Sequence, residues 1–467
     1  MSEKYDIVII GAGPGGYVAA IKAGQSGKKV VCIEKAELGG ICLNWGCIPT
    51  KAFLKSAEVF QSMKHAADYG LSVTGATADL GAIIDRSRKV SGTMVGGIDF
   101  LLKKNKVQNI SGTANIIASN LVEVTDAKGE VSLIETEKII ISTGASPVSL
   151  PFAPVDEKNI ISYRQALSIR KQPKKLLVIG GGAIGVEFSY FFNAIGTEVH
   201  IVEMCDQLLP VEDADSAKIL GREFKKQGIH VYTSTKTKSV DVVKAGKINV
   251  VLETAKGKEI KLEVDRVLSA VGMKANTAGL GLKKSGVKVD DRGNIIVNEH
   301  QQTSNPNIYA IGDCAGKQML AHKASAEGEA AVAHICGEEK HGVDYGQIPG
   351  CTYCQPQVAG VGLTEKAATE AGIEVKIGKF PFTASGKAHG VGHPEGMVKL
   401  IFNAATEALI GAHIIGYDAT EMIAELGLAM KLEATWEEIA HTIHAHPTLS
   451  EATMEAALDS VGKAIHI

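Results

Sequence analysis

The chain has 467 residues, of which 45% are hydrophobic and 22% charged, and its formal net charge is −3. This length exceeds one ordinary core and predicts three or four domains. The slightly acidic balance argues against nucleic acid or an anionic membrane as a main partner, since both need a basic surface. Eight cysteines are too few for a disulfide-dense secreted scaffold. We read no signal peptide and no transmembrane segment, so a reducing cytoplasm is expected.

The first predicted elements are a strand, a glycine turn, a helix and a second strand in YDIVIIGAGPGGYVAAIKAGQSGKKVVCIEK, residues 5–35. Gly11, Gly13 and Gly16 fit G-x-G-x-x-G, whose glycines allow a tight turn and let the backbone approach a pyrophosphate. Glu34, 23 residues after Gly11, is placed to bind a ribose hydroxyl. The strand context and the spaced acid together indicate a dinucleotide-binding unit.

Two cysteines follow, Cys42 and Cys47, in GGICLNWGCIPTK, residues 39–51. Alone, this stretch fits a structural staple, half of a metal site or a working dithiol. A metal site needs two more ligands, and no partner cluster at zinc spacing lies nearby in sequence. Both cysteines stand at the predicted beginning of a helix, where the helix dipole lowers the pKa of a thiol, and Pro49 suits such a first turn.

A helix over about 50–66 and alternating segments over 120–142 lead to a second strand–turn–helix–strand unit at 175–204. The alternating segments predict antiparallel strands that feed back into the first sheet. In the second unit an acid again stands 23 residues after the first glycine; the pattern residues are Gly180, Gly182, Gly185 and Glu203. A carboxylate at this position repels a 2′-phosphate, and the following Met204 supplies no cation, so NAD is favoured over NADP.

Two dinucleotide-binding units in one chain suggest a redox role for the first cysteine pair. A flavin in the first unit and NAD in the second would form an electron path, because a flavin converts hydride into thiol chemistry. The redox interpretation of Cys42 and Cys47 is therefore favoured over a metal site or inert core cysteines. A second close pair, Cys351 and Cys354, is predicted on a strand with opposed side chains and without a role. The other cysteines are expected to be small buried hydrophobes: Cys32, Cys205, Cys314 and Cys336.

The segment TSNPNIYAIGDCAG, residues 303–316, predicts a buried strand over 307–311 that leads to Asp313, followed by a helix over about 323–334. Beyond Gln347 the pattern changes to short strands and amphipathic helices, which indicates an α+β domain. Those helices are expected around 418–432 and 449–462.

The octapeptide HAHPTLSE, residues 444–451, supplies a candidate base. Thiol–disulfide exchange needs a group with a pKa near neutrality to take and return a proton, which is the work of histidine. Taken alone, a His-x-His-Pro string more often caps a helix.

From Tyr5 to the C-terminal helix the chain resembles the pyridine nucleotide–disulfide oxidoreductase family. GGICLNWGCIPTK is similar to its redox-active disulfide motif, and TSNPNIYAIGD to its second flavin motif. The resemblance implies FAD and NAD, no metal, and an α/β fold of two Rossmann-like FAD- and NAD-binding domains plus a C-terminal α+β dimerisation domain. The expected ranges are 1–147 for the first part of the FAD-binding domain, 148–275 for the NAD-binding domain, 276–346 for the central domain completing the FAD site and 347–467 for the dimerisation domain.

The resemblance also implies roles for single residues. Cys42 would exchange with substrate and Cys47 would face the flavin. His446 would be the base, with Glu451 orienting its ring; we assign His444 no catalytic role. The remaining implied cofactor residues are Gly11, Gly13, Gly16, Glu34, Gly144, Lys51 near the flavin N5 and Asp313 on the ribityl chain for FAD, and Gly180, Gly182, Gly185, Glu203 and the Lys51 partner Glu187 on the NAD side.

Within the family, the resemblance is strongest to members that oxidise protein-bound dihydrolipoyl groups with NAD as acceptor. It implies a homodimer whose active sites are shared across the interface. It also implies lipoyl domains of a 2-oxo acid dehydrogenase or glycine-cleavage system as partners. The alternative is a reductase of another small disulfide, such as glutathione disulfide.

Overall fold

The computed structural model describes residues 3–338 and 342–467. The chain divides into two compact units. Unit 1 comprises Met1–Phe53, Gly81–Val148 and Gly272–Val343, and unit 2 comprises Leu54–Leu80, Ser149–Val271 and Asp344–Ile467. The four domain ranges expected from the sequence remain predictions.

Strands account for much of both units. Those of the described residues are β1 Glu3–Ile10, β2 Val30–Glu34, β3 Gln108–Ser111, β4 Thr113–Ala118, β5 Leu121–Thr125, β6 Val131–Ile141, β7 Ala145–Pro147, β8 Ile160–Ile161, β9 Lys175–Ile179, β10 Glu198–Val202, β11 His230–Tyr232, β12 Thr235–Lys244, β13 Lys247–Thr254, β14 Glu259–Val264, β15 Arg266–Ser269, β16 Met273–Ala275, β17 Ile308–Ala310, β18 Gly350–Thr352, β19 Gln357–Gly362, β20 Val375–Pro381, β21 Met397–Asn403 and β22 Leu409–Gly416.

Helices connect these strands. The α-helices of the same residues are α1 Pro14–Gln25, α2 Gly40–Trp45, α3 Cys47–Lys64, α4 Leu80–Lys104, α5 Tyr163–Ala166, α6 Ala183–Ala194, α7 Ala214–Lys226, α8 Ala321–Ile335, α9 Glu365–Glu370, α10 Gly386–Gly390, α11 Ala419–Lys431, α12 Trp436–His441 and α13 Glu451–Asp459, and short 3-10 helices cover Ala66–Tyr69, Gly312–Ala315, Tyr345–Gln347 and Phe382–Ala384. Within 3–338 and 342–467, no helix is both long enough and apolar enough to cross a membrane.

Unit 1 is built on one mixed sheet with the strand order β3-β2-β1-β6-β5-β4, and β17 also pairs with β6. The pairs among β3, β2, β1, β6 and β17 are parallel, whereas β4, β5 and β6 are antiparallel. The predicted return of the alternating segments to the first sheet is therefore confirmed. The carboxyl ends of β1, β6 and β17 lie at one edge, where ligands bind in open α/β sheets.

Strand β1 shows why this sheet is buried on both faces. Val8 and Ile10 pack into one apolar cluster, and Ile7 and Ile9 pack into another that includes alanines of α1. Side chains alternate between the two faces along a strand, so a continuous apolar run places apolar side chains on both faces of the sheet. Burying each Val or Ile side chain stabilises the fold by roughly 1.5–3 kcal/mol.

Unit 2 contains a second parallel sheet, ordered β11-β10-β9-β15-β8, and an antiparallel meander of β12, β13 and β14. Its C-terminal part is an antiparallel sheet, β18-β19-β22-β21-β20, which shares an apolar core with α11, α12 and α13. Helix α12 begins at a capping box in which Thr435 and Glu438 bond each other's backbone. The expected fold class is confirmed.

Candidate active site

The two cysteines of GGICLNWGCIPTK form a disulfide, with 4.7 Å between the Cα atoms of Cys42 and Cys47. The expectation that both open one helix is wrong. Cys42 lies inside α2 and only Cys47 begins α3, because the non-helical backbone of Gly46 (φ −141°, ψ −113°) separates the two helices. Both side chains are half-buried, and Pro49 occupies the first turn of α3 as expected.

Two arginines of α4 fix this segment, and the sequence did not single them out. Arg88 donates to the carbonyl of Asn44 at 2.6 Å and lies over the Trp45 ring, 4.6 Å from its centroid. Arg86 donates to the carbonyl of Ala52 at 2.8 Å. Helix α4 thus anchors both sides of the disulfide, by contacts whose partners lie about 40 residues apart in sequence.

The first glycine turn has the geometry of a phosphate cradle. Gly11 (φ +102°) stands at the end of β1, and a side chain on Gly16 would collide with the Gly11 carbonyl. A Cβ on Gly13 would meet nothing within 4 Å, and no side chain caps the N-terminus of α1. An open helix N-terminus reached through glycine fits a pyrophosphate. Glu34 accepts hydrogen bonds from the backbone of Ala12 (2.7 Å) and Ala36 (2.8 Å), which hold its carboxylate beside the turn.

The second turn repeats this geometry in unit 2. Gly180 has φ +107°, and Gly185 packs against its carbonyl. Gly182 immediately precedes α6, provides no side-chain cap and has open space around it. The Glu203 carboxylate accepts from the backbone of Gly181 (2.6 Å) and Cys205 (2.8 Å). The two fingerprints are therefore alike in structure as well as in spacing.

A cleft of about 740 Å³ opens beyond the end of β10, and cations line it although Met204 itself supplies none. Helix α7 contributes Lys218, Arg222, Lys225 and Lys226 to it. Its other lining residues are Asp206, Gln207, Leu208, Ala214, Ala217, Gly221, Val231 and Thr233.

The predicted strand before Asp313 is β17, and a buried ion pair that the sequence reasoning missed shapes the turn after it. Lys323 of α8 donates to the carbonyls of Gly312 (3.1 Å) and Gly316 (3.0 Å) and to Glu327 (3.1 Å). Glu327 in turn accepts from the Gly312 N–H at 2.7 Å. Burial raises the pKa of Asp313. A Lys and a Glu four residues apart on the helix predicted after Asp313 were the available signal.

Gly144, Lys51 and Glu187 complete the predicted cofactor residues. Gly144 (φ +68°) follows β6, and its carbonyl accepts from Asn276 at 2.9 Å. Glu187 is buried in α6 and accepts from the Tyr353 N–H at 3.0 Å. Lys51 lies on α3 in unit 1, whereas Glu187 belongs to unit 2, and their pairing remains a prediction.

His446 and Glu451 are brought together at the beginning of α13. His446 Nδ1 lies 2.8 Å from Glu451 Oε1, and Glu451 Oε2 accepts from the Thr448 N–H at 2.8 Å. Burial opposes ionisation of Glu451, yet these two hydrogen bonds hold its pKa below the usual value. A carboxylate at Nδ1 favours the tautomer that leaves Nε2 as the proton acceptor. The His446 side chain is 81% exposed in the single chain.

The remaining cysteines correct two expectations. Cys205 is exposed and Cys336 is half-buried, whereas Cys32 and Cys314 are buried as expected. Strand β18 ends at Thr352, so Cys354 lies beyond the strand rather than on it.

Among the described residues, Glu198, His200 and His230 form a group that could hold a metal ion. The two imidazoles stack with centroids 4.4 Å apart, so their in-plane lone pairs do not converge on one point. Glu198 also bonds Lys175 at 2.8 Å, and His200 bonds both Glu198 and Tyr232. We assign this group no role.

Comparison with known proteins decides the family. A family model described as pyridine nucleotide-disulphide oxidoreductase matches residues 5–328, and its dimerisation domain matches residues 348–457. The chain belongs to the pyridine nucleotide-disulphide oxidoreductase family. A dihydrolipoyl dehydrogenase of Rhizobium etli is 45% identical over 100% of both chains, and one of Zymomonas mobilis is likewise 45% identical over 100% of both. A leghemoglobin reductase of Glycine max is 42% identical over 99% of this chain and 88% of its own length.

Solved structures are similar to this chain over nearly its whole length. LpdA from Mycobacterium tuberculosis superposes with a TM-score of 0.89 at 28% identity, covering 97% of this chain and 99% of the other. A Cu(II) complex of the flavoprotein disulfide reductase RclA from Escherichia coli has a TM-score of 0.87 at 26% identity, with the same coverage. As a member of the pyridine nucleotide-disulphide oxidoreductase family, the chain is an oxidoreductase that uses FAD and NAD. The geometry of the two glycine turns fits the binding of two dinucleotides, one at each turn.

Proposed function

We propose that the chain is a flavin-dependent dihydrolipoyl dehydrogenase, which oxidises protein-bound dihydrolipoamide to lipoamide with NAD⁺ as the final acceptor. The observation that carries the proposal is the Cys42–Cys47 disulfide, held in the same unit as the first glycine cradle. Similarity to dihydrolipoyl dehydrogenases over the full length supports the choice of substrate.

The chain's own residues account for the exchange steps. A thiolate of the dihydrolipoyl group attacks Cys42 Sγ, the Cys42–Cys47 bond breaks, and Cys47 leaves as a thiolate. The second substrate thiol gives its proton to Nε2 of His446 and attacks the sulfur bonded to Cys42. The cyclic disulfide is released with Cys42 as the leaving thiolate, so two electrons have passed from the substrate dithiol to the cysteine pair. When bound, FAD would supply the two-electron acceptor that restores the disulfide, and NAD⁺ would be the final acceptor.

Specific residues are proposed to hold the two cofactors. For FAD they are Gly11, Gly13, Gly16, Glu34, Lys51, Gly144 and Asp313, and on the NAD side Gly180, Gly182, Gly185, Glu187 and Glu203. The open N-termini of α1 and α6 support the phosphate positions, and the carboxylates of Glu34 and Glu203 stand where a ribose would lie.

His446 and Glu451 are proposed to act on the disulfide of the other subunit of a homodimer. The match of residues 348–457 to the family's dimerisation domain supports the dimer. The high exposure of His446 supports a partner that covers it, since a base must work in a site shielded from bulk water. Lipoyl domains of a 2-oxo acid dehydrogenase or glycine-cleavage system are the proposed partners, and the cytoplasm the proposed compartment.

The decisive experiment measures NAD⁺ reduction by the purified holoenzyme given dihydrolipoamide, with NADP⁺ as a parallel acceptor. We expect fast turnover with NAD⁺ and little with NADP⁺, because the carboxylate of Glu203 repels a 2′-phosphate. A flavin-loaded dimer that NADH reduces but that does not oxidise dihydrolipoamide would retain the electron path and remove lipoyl as the substrate. Reduction of other disulfides, such as glutathione disulfide, would then be tested.

A further inference from the structure

His444, the first histidine of HAHPTLSE, lies in an environment quite unlike that of His446. Its side chain is only 6% exposed. Its Nε2 lies 2.7 Å from Glu425 Oε1 on α11, and its Nδ1 lies 2.8 Å from the carbonyl oxygen of Thr442. We call this arrangement the His444–Glu425 pair.

The partners of the two ring nitrogens identify the charge of this ring. A carbonyl oxygen only accepts, so Nδ1 must carry a proton. An ionised carboxylate also only accepts, so Nε2 must carry one as well. The hydrogen bond to Glu425 raises the pKa of His444, so this arrangement favours the imidazolium form of the ring.

The His444–Glu425 pair ties the segment before α13 to α11. Two residues beyond His444, His446 bonds Glu451 at 2.8 Å. Thr448 completes the connection, because its hydroxyl donates to the Ala445 carbonyl at 2.7 Å and its N–H donates to Glu451. The peptide from 444 to 451 is thus fixed at both ends by carboxylates of two different helices.

The charged groups that face His444 are Glu425 from α11 and Glu451 from α13. The imidazolium lowers the pKa of Glu451 through space, and Glu451 in turn raises that of His444.

We propose that His444 is a positioning residue for the base: through its bond to Glu425 it anchors the segment that carries His446 to α11, and so holds the His446 ring in place beside Glu451. This inference rests on the proposed role of His446 in dithiol oxidation. It assigns His444 no contact with substrate or cofactor.

The test compares His444→Ala, which loses the bond to Glu425, with His444→Gln, whose amide can still donate to that carboxylate, in the holoenzyme. One readout is kcat and KM for dihydrolipoamide oxidation, measured separately. The other needs no turnover: the rate at which diethyl pyrocarbonate modifies His446, read by peptide mass spectrometry. The matched control is His393→Asn, since His393 also bonds one glutamate, Glu395, at 3.0 Å but lies outside the octapeptide.

We expect His444→Ala to lower kcat about tenfold with little change in KM, because a misplaced base slows proton transfer rather than substrate binding, and to change the rate at which His446 is modified. His444→Gln should leave both values near those of the wild type, as should the control. Glu425→Ala, which removes the anchor from the other side, should act as His444→Ala does and serves if that variant fails to fold. An unchanged kcat and an unchanged modification rate in both His444→Ala and Glu425→Ala would overturn the proposal. A changed modification rate without any dihydrolipoamide turnover by the wild type would instead overturn the proposed function alone.

Discussion

At the residue scale, the chemistry rests on two sulfur atoms. Replacing Cys47 by Ser is expected to lower dihydrolipoamide oxidation by at least about a thousandfold, because no disulfide remains for the substrate thiolate to break. Cys42→Ser should have the same effect. The measurement is NAD⁺ reduction at saturating dihydrolipoamide, with flavin content recorded for each variant.

Cys205 provides the control for this prediction. It is exposed and lies outside the disulfide, so Cys205→Ser should retain wild-type turnover. Substantial turnover by Cys47→Ser with bound flavin would show that the dithiol path is wrong.

Residues whose neighbours in space are also neighbours in sequence were predictable. Gly11, Gly16 and Glu34 belong to one strand–turn–helix–strand unit, and the turn they form follows from spacing alone. Arg88 was not predictable, because its contacts to Asn44 and Trp45 depend on the packing of α4 against a distant segment. Family resemblance supplied the role of His446, which spacing could not.

At the element scale, the Lys323–Glu327 pair of α8 shapes the turn that carries Asp313. Lys323→Met would remove the donor to the Gly312 and Gly316 carbonyls and the cation that pairs with the buried carboxylate of Glu327. Breaking a buried ion pair on one side costs about 3 kcal/mol or more. We expect this variant to lose FAD on dialysis, seen as a lower ratio of absorbance at about 450 nm to that at 280 nm.

The control for this prediction is Lys366→Met on α9. It breaks an i,i+4 Lys–Glu pair of the same chemistry, but both side chains are exposed, so FAD retention should not change. Full FAD retention by Lys323→Met would contradict the proposed function of the pair.

A second buried lysine joins three elements of unit 2. Lys399 of β21 is 1% exposed and lies within 2.8 Å of Asp213 and Asp215 at the start of α7 and of Glu365 on α9. Lys399→Met should destabilise the protein by about 3 kcal/mol at pH 7, because three carboxylates lose their shared cation. Thermal unfolding midpoints measure the effect, and Lys376→Met, at an exposed pair with Glu407, is the control.

The pH dependence of this cluster has a definite sign. Burial opposes ionisation of Asp215, but its hydrogen bonds to Lys379 and Lys399 lower its pKa to about 2. The unfolded carboxyl titrates near 3.9, so the cluster stabilises the wild type fully above that value and loses its contribution as pH falls towards 2. The difference between wild type and Lys399→Met should therefore shrink below about pH 4. A difference that stays constant from pH 7 to pH 3 would contradict this account.

The elements themselves were predicted well where hydrophobic period and glycine placement agreed. The expected strand at 307–311 is β17, and the expected helices at 418–432 and 449–462 are α11 and α13. The single helix expected after Cys42 is interrupted at Gly46, where α2 ends. A glycine can adopt many backbone conformations, so the sequence alone did not predict the non-helical one found here. The cations of α7 beside the second unit also escaped notice, since they lie beyond the local window after Glu203.

At the scale of the whole molecule, the arrangement of active sites in the dimer has a test that needs no structure of the assembly. Ile443 is 96% exposed and His446 81% exposed in the single chain, as expected of residues that a second subunit covers. If each site takes its disulfide from one subunit and its base from the other, defects in the two groups can be separated by mixing. Cys47→Ser and His446→Gln homodimers should each be nearly inactive.

A heterodimer of these two variants concentrates both defects in one site and leaves the other site intact. Random reassociation of equal amounts gives about half heterodimers by two-fold symmetry, each with one working site of two, so about a quarter of wild-type activity should return. The measurement is dihydrolipoamide oxidation after co-refolding with FAD, or with differently tagged subunits to isolate the heterodimer. If each subunit instead used its own base, every site in the mixture would carry one defect and the activity would stay at the level of the inactive parents.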